Sequence, residues 1–219
     1  SGGFNSLLNP QTADNVEIGY KRSSGNLYYE LSVFRISLDD ELVPFELAAF
    51  PGRTFYANAG SSTRDGVEAA LSWEVGDGFQ VDASYTWSDF RFDNFIDDNG
   101  NDFSGNRLPG LPQQFAYVGL TYAGDSGFSG TLEGFYSGDL YANNANSVNV
   151  SSYTIANLRL AYEFRSGQWM FRPYVGINNL LDESYNSNIR INAFGARYFE
   201  PAPERNYFAG VVVNFSKSR

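Results

Sequence analysis

The sequence predicts an all-β chain, an antiparallel transmembrane β-barrel. Three observations carry this: apolar and polar residues alternate with period two from end to end, the alternating stretches are long, and their connections are alternately short and long. The clearest stretch is 64–76, where Val67, Ala69, Leu71, Trp73 and Val75 alternate with Glu68, Ala70, Ser72 and Glu74. Its partner, 78–90, sets Phe79, Val81, Ala83, Tyr85 and Trp87 against Gln80, Asp82, Ser84, Thr86 and Ser88, and Gly76, Asp77 and Gly78 form the tight turn between them.

Nine strands follow in order, at 15–22, 27–38, 66–75, 79–89, 113–122, 128–137, 153–164, 168–178 and 206–215. Most have close to the roughly 9 to 11 residues of a tilted membrane strand, where strands of soluble domains average about 5 or 6. The connections at 23–26, 76–78, 124–127 and 165–167 are short, and those at 39–64, 91–112, 138–152 and 179–205 are long. Outer-membrane barrels sort their loops this way, with turns on the periplasmic edge and loops outside; a soluble β-sandwich, the main competing architecture, has no reason to. With short turns periplasmic, the first and last strands both run downward. The count is then odd where bacterial barrels are even, which predicts a start inside an outer loop and further barrel before Ser1.

Composition narrows the function. Tyr and Phe number 15 and 19, yet mean hydropathy is slightly negative and no apolar run approaches the roughly 20 residues of a membrane helix. The chain has no Cys and no His, which removes thiolate metal sites, disulfides and the commonest general base, so an outer-membrane enzyme is disfavoured. A net charge of -10 argues against nucleic acid as a partner. The opening Ser1, Gly2, Gly3, Phe4 is not a signal peptide.

Alternation also assigns faces. Tyr207, Ala209, Val211, Val213 and Phe215 suit lipid, as do Trp169, Phe171, Val175 and Ile177, and Leu158, Leu160, Tyr162 and Phe164. Glu17, Lys21, Glu30, Glu68, Glu74, Asp82, Glu133, Arg159, Glu163 and Arg172 then face a wet lumen. Among the loops, the run from Asp97 to Asp102 starts like a calcium-binding loop, but Asp102 stands where that loop needs Gly and Leu108 where it needs Glu, so a solvated turn is expected. Asp39, Asp40 and Glu41 read as solvated loop. Tyr141, with Asn143, Asn144 and Asn146, offers stacking and hydrogen bonds to a ligand; Arg53, Arg190, Arg197 and Arg205 offer guanidinium forks to an anionic chelate.

Five segments then match, in order, one known family. LNPQTADNVEIGYK (8–21) resembles a strand opening of TonB-dependent receptors. PGRTFYANAGSSTRDGVEAALSW (51–73) and NRLPGLPQQFAYVGLTY (106–122) resemble the approaches to later strands. NNLLDESYN (178–186) resembles the element before the last outer loop, and RYFEPAPERNYFAGVVVNF (197–215) the closing strand. The resemblance implies a bacterial outer-membrane barrel of 22 strands closed by an N-terminal plug, with residues 1–219 as its C-terminal part, contributing nine or so strands without plug or earlier strands. It implies active transport rather than enzymatic activity and no cofactor. The substrate would be a scarce nutrient, most closely a ferric siderophore or other metal chelate; haem, cobalamin, carbohydrate and a passive porin-like channel are the alternatives. Implied partners are outer-membrane lipid, the small-molecule ligand, the TonB complex through the plug, and the barrel-assembly machinery. That machinery would read Phe215 as the terminal aromatic, although Ser216 to Arg219 follow it.

Overall fold

Nine long strands lie side by side in one antiparallel sheet in the computed structural model, which describes residues 8–97 and 99–216. Ser1 to Phe4, Asp98 and the tail 217–219 lie outside the described residues. In chain order the strands are β1 (Thr12–Ser24), β2 (Leu27–Asp39), β3 (Leu42–Glu46), β4 (Thr54–Asn58), β5 (Ser61–Gly76), β6 (Phe79–Asn94), β7 (Gln114–Ala123), β8 (Phe128–Ser137), β9 (Leu140–Tyr141), β10 (Asn149–Val150), β11 (Tyr153–Tyr162), β12 (Phe164–Ser166), β13 (Trp169–Asn178), β14 (Asn186–Ile189), β15 (Phe199–Pro201) and β16 (Asn206–Phe215). The sheet runs β1-β2-β5-β6-β7-β8-β11-β13-β16, each strand beside the next long strand in sequence, with β1 and β16 at its two edges. All nine predicted strands are present. The pairs β3/β4, β9/β10 and β14/β15 are small hairpins within the long loops.

Two local features explain the register. Asp77 and Gly78, both at positive φ (51° and 82°), turn β5 into β6 in the mirror-image geometry that matches strand twist. β12 continues the line of β11: the pairing of Ala161 with Tyr174 resumes as Phe164 with Phe171, leaving Tyr162 and Glu163 opposite Pro173 and Arg172. Pro173 has no N–H to donate, and the ladder skips there without slipping.

Residues directly opposite in a sheet share a face, so the registers settle which side each belongs to. Lys21 faces Glu30, Glu30 faces Ala70, and Ala70 faces Ser84. Asp82 faces Gly119, Gly119 faces Glu133, and Glu133 faces Asn157. Followed through to β16, these pairings place all ten predicted lumen residues on one face. Its polar groups satisfy one another: the Ser72 hydroxyl donates to Asp82 at 2.7 Å, Gln80 donates to the same carboxylate at 3.0 Å, and Tyr117 donates to Glu133 at 3.2 Å. Arg159 lies over the rings of Tyr174 and Phe208 at 5.8 and 5.4 Å. Those rings fold across Gly210 and Gly176, where a Cβ would strike them.

The opposite face is apolar yet open. Ile18 is 78% exposed, Val175 54% and Val211 58%. A soluble sandwich would bury such a face; a continuous apolar belt open on its outer side is a lipid surface. Its lower rim is a row of rings beside the short turns, Phe79 on Tyr122 (4.6 Å), Phe164 on Phe171 (5.4 Å) and Trp169 on Phe215 (4.9 Å). From Tyr207 to Phe215 the belt runs about 26 Å along the strand, or about 20 Å along the bilayer normal at a tilt near 40°. Above it the outward face turns charged. Arg35 donates twice to Asp65, at 2.6 and 2.7 Å, and the Thr63 hydroxyl donates to Asp93 at 2.7 Å. This polar pairing carries β5 and β6 several residues beyond their predicted ends, to Ser61 and Asn94.

Neighbouring valines of β16 test the facing. Val211→Arg puts a guanidinium at mid-belt and is expected to destabilise the folded barrel by about 2–4 kcal/mol, whereas Val212→Arg, on the lumen face, costs well under half of that. Denaturant refolding of the complete barrel into lipid vesicles measures both, and equal costs would refute the assignment.

Candidate functional site

The buried apolar core among the described residues sits at the long-loop end, not inside the sheet. Val43, Ala59, Phe92, Phe95 and Leu108 pack together with Phe90 and Phe103 beside them, and the rings of Phe92, Phe95 and Phe103 meet at 4.9 and 5.4 Å. The hairpin β3/β4 folds inward here, with Val43 in the buried cluster and Phe45 on the Phe55 ring at 6.0 Å. Glu41, predicted to be solvated, is 6% exposed and ion-paired to Arg64, whose guanidinium also lies 5.8 Å from the Phe90 ring. Entering strand β3 draws Glu41 under the loop roof. Glu41 Oε2, Arg64 Nε and Ser62 Oγ are buried there without a hydrogen-bond partner.

Asparagines lock the four long loops together. Asn192, left-handed at φ 52°, donates from Nδ2 to the Pro44 carbonyl at 2.9 Å and to Asn144 Oδ1 at 3.0 Å. Its Oδ1 accepts the Asn144 N–H at 2.9 Å. Asn146, also left-handed, accepts the Arg107 N–H at 2.8 Å and donates to the Arg107 carbonyl at 2.9 Å. Asn tolerates this conformation better than other side-chain-bearing residues, and its amide both donates and accepts, so each such Asn clamps one loop to another.

Between the clamped loops lies a pocket of about 510 Å³, a size suited to a drug-sized ligand. Phe45, Phe95, Phe103 and Tyr198 supply its rings, and Asn58, Asn99, Asn143, Asn144 and Asn192 supply its amides. Among the described residues that line it, Asp97 is the one that is charged.

None of the predicted contacts Arg53, Tyr141, Arg190, Arg197 and Arg205 is among the residues that line the pocket. Arg53 lies in the β3/β4 connection with its guanidinium 5.2 Å from the Phe55 ring centre. Tyr141 is on β9 under the Arg107 guanidinium at 5.1 Å. Arg190 donates from Nε to Glu200 at 2.7 Å, and Arg197 donates to the Phe194 carbonyl at 3.5 Å. Arg205 is ion-paired with Asp182 at 3.8 Å. The pocket instead adjoins them, through Asn143 and Asn144 near Tyr141 and through Tyr198 next to Arg197. Its phenylalanines fall in 39–64 and 91–112, which the sequence reads only as loops, and the role of Asn192 had no local signal.

The Asp97 turn spends its carboxylate on itself. One oxygen accepts the N–H groups of Asn99 and Asn101, both at 2.9 Å, and the other accepts the Asn101 side-chain amide at 2.9 Å. These bonds, Asn101's first, hold the carboxyl below the usual aspartate range; the side-chain amide of Asn188 and the guanidinium of Arg190 do the same for Glu200. A depressed folded-state pKa contributes stability above the ordinary value, about 3.9, that is lost as pH falls through the folded value. Pepsin should therefore spare the 95–103 loop near pH 4 and cut it as pH approaches about 2, relative to a free peptide of the same sequence, while Asp97→Ala is cut throughout. Parallel cleavage of loop and peptide would show that the carboxylate does not hold the turn.

Comparison with known proteins agrees with this architecture. The profile of the family described as TonB dependent receptor-like, beta-barrel matches residues 1–180. A probable TonB-dependent siderophore receptor of Acinetobacter baumannii, PiuA, is 27% identical over 224 aligned residues, covering 96% of this chain and 28% of its own length. The ferrioxamine receptor of Yersinia enterocolitica is 26% identical, covering 82% of this chain and 25% of its own. The crystal structure of PiuA superposes with a TM-score of 0.70 at 26% identity, over 92% of this chain and 28% of that one. The chain thus spans under a third of the length of these relatives. With the family profile matching most of its length and the strand order of a membrane barrel, the chain belongs to the TonB-dependent receptor-like β-barrel family of the bacterial outer membrane.

Proposed function

We propose that this chain is the C-terminal part of a 22-stranded receptor barrel that takes up a ferric siderophore or another metal chelate across the outer membrane, with energy supplied by TonB acting on an N-terminal plug. The observation that carries the reading is the loop-built pocket, set between clamped loops at the long-loop end of a sheet whose inner face is polar. A passive channel needs the wall but not such a pocket. The relatives named for siderophores and ferrioxamine support an iron chelate over haem, cobalamin or sugar. Arg53, Tyr141, Arg190 and Arg197 surround this end and are kept as contacts to the outer part of a bound chelate. Lipid meets the belt, and the assembly machinery reads the end of β16 at Phe215.

The complete receptor in detergent is expected to show saturable quenching of intrinsic fluorescence by ferric chelates, whose near-ultraviolet absorption overlaps the emission of nearby rings such as Tyr198. Tyr198→Ala and Phe95→Ala should each weaken binding about ten-fold, equivalent to about 1.4 kcal/mol. Ion conductance in planar bilayers without saturable binding would instead identify a passive channel.

A further inference from the structure

On the chelate-receptor reading just given, we propose that the loop pocket selects ferric chelates of zero or single positive charge, the trishydroxamate class, and discriminates against anionic tris-catecholate and citrate chelates. Three hydroxamates carry one negative charge each and neutralise Fe³⁺. Three catecholates leave a net charge of about -3, so charge separates the classes at nearly constant size.

Three features of the loops favour the neutral or cationic class. The first is the lining. Among the described residues it contains no Lys or Arg, one carboxylate, Asp97, and a surface otherwise made of aromatic rings, aliphatic groups and amides. A trianion entering it would shed water against Phe45, Phe95 and Phe103 with no cation to repay the loss, whereas a neutral chelate loses little and finds amide partners for its carbonyl oxygens. The Asp97 carboxyl, held below its usual range by the amides of its own turn, keeps its charge at any physiological pH.

The second is the state of the loop guanidiniums. Arg64 is paired with Glu41, Arg107 with Asp139 at 3.3 Å, Arg190 with Glu200 at 2.7 Å and Arg205 with Asp182 at 3.8 Å. An anion would compete with a carboxylate already in place for each of these. Arg53 and Arg197 lie outside the lining. The third is the surrounding field. Each of the four long loops, 40–60, 95–113, 138–152 and 179–205, holds more Asp and Glu than Lys and Arg. The loops this chain contributes to the outer mouth are therefore each net negative, which raises the local concentration of cations beside them and lowers that of anions.

The test uses the complete receptor in detergent and three probes: ferrioxamine B with its free ammonium group, its N-acetylated neutral form, and a ferric tris-catecholate. The ammonium form should bind about two- to five-fold more tightly than the acetylated form, a gap that closes in high salt, and both at least about ten-fold more tightly than the catecholate. Asn99 tunes the pocket charge from an exposed position: its side chain helps hold the Asp97 carboxyl, but the Asn99 backbone N–H and both Asn101 donors to that carboxyl remain in either variant. Asn99→Lys should erase the preference for the ammonium form and Asn99→Asp should enlarge it. Catecholate bound as tightly as the hydroxamates would overturn the charge selectivity while sustaining the chelate reading. An unchanged ammonium preference in both Asn99 variants would overturn the assignment to this pocket, and no saturable binding of any chelate would overturn both readings.

Discussion

Backbone hydrogen bonding in a medium without water is the constraint on which the rest depends. Inside a bilayer each unpaired N–H or C=O costs several kcal/mol, so the chain can cross only as strands whose every neighbour supplies a ladder. Between neighbours, nine strands in unbroken antiparallel order meet that demand, and the ladder tolerates Pro173 because the lost bond removes a donor without displacing the register on either side. Once the ladder is fixed, alternate residues have no freedom: one set must meet lipid and the other must meet the lumen. The aromatic rims, the exposed valines and the Ser72, Gln80 and Asp82 network are consequences of that single partition.

The same constraint explains which parts of the molecule were legible in the sequence. Strands and faces were, because period-two alternation is local and each short turn leaves no choice of partner. The ten lumen residues from Glu17 to Arg172 fell on one side because a register error of one residue would have turned a whole strand inside out. Above the belt, water satisfies the backbone and the period-two rule relaxes. The upper ends of β5 and β6 persist through ion pairs and aromatic contacts that leave no periodic trace, such as Arg35 with Asp65 and Arg64 over Phe90. The hairpin β3/β4 was hidden because two five-residue strands inside a loop look like loop composition.

Least legible was the site. Its clamp joins Asn192 to Pro44, 148 residues apart, and to Asn144. No window of the sequence contains both ends of such a bond. Arginines in loops drew attention as anion forks, yet Arg190 and Arg205 turn their charge inward to Glu200 and Asp182, each within its own loop. Asn144 and Asn146, read from the sequence as hydrogen-bonding groups for a ligand, hold the architecture together with Asn192. A single carboxamide can replace a loop-to-loop ladder when its backbone accepts a left-handed φ, and both Asn146 and Asn192 do.

Scaffold and specificity therefore answer to different physics in this chain. The wall is specified by a medium that forbids exceptions, so its pattern is regular and survives at 26–27% identity to PiuA and the ferrioxamine receptor. The pocket is specified by water and ligand, where a neutral amide, a ring or a carboxylate can each be exchanged for a few kcal/mol at most. Loops held by a few side-chain clamps, rather than by ladders, can change their lining without disturbing the strands beneath, provided the clamps persist. A substitution at Asn99 changes the charge at the pocket wall; one at Asn192 removes the side-chain ties of its loop to Pro44 and Asn144, leaving the backbone bond to Ala142. Functional divergence on this wall is thus expected to run through lining positions first, with the clamping asparagines setting the limit on how far the loops can move.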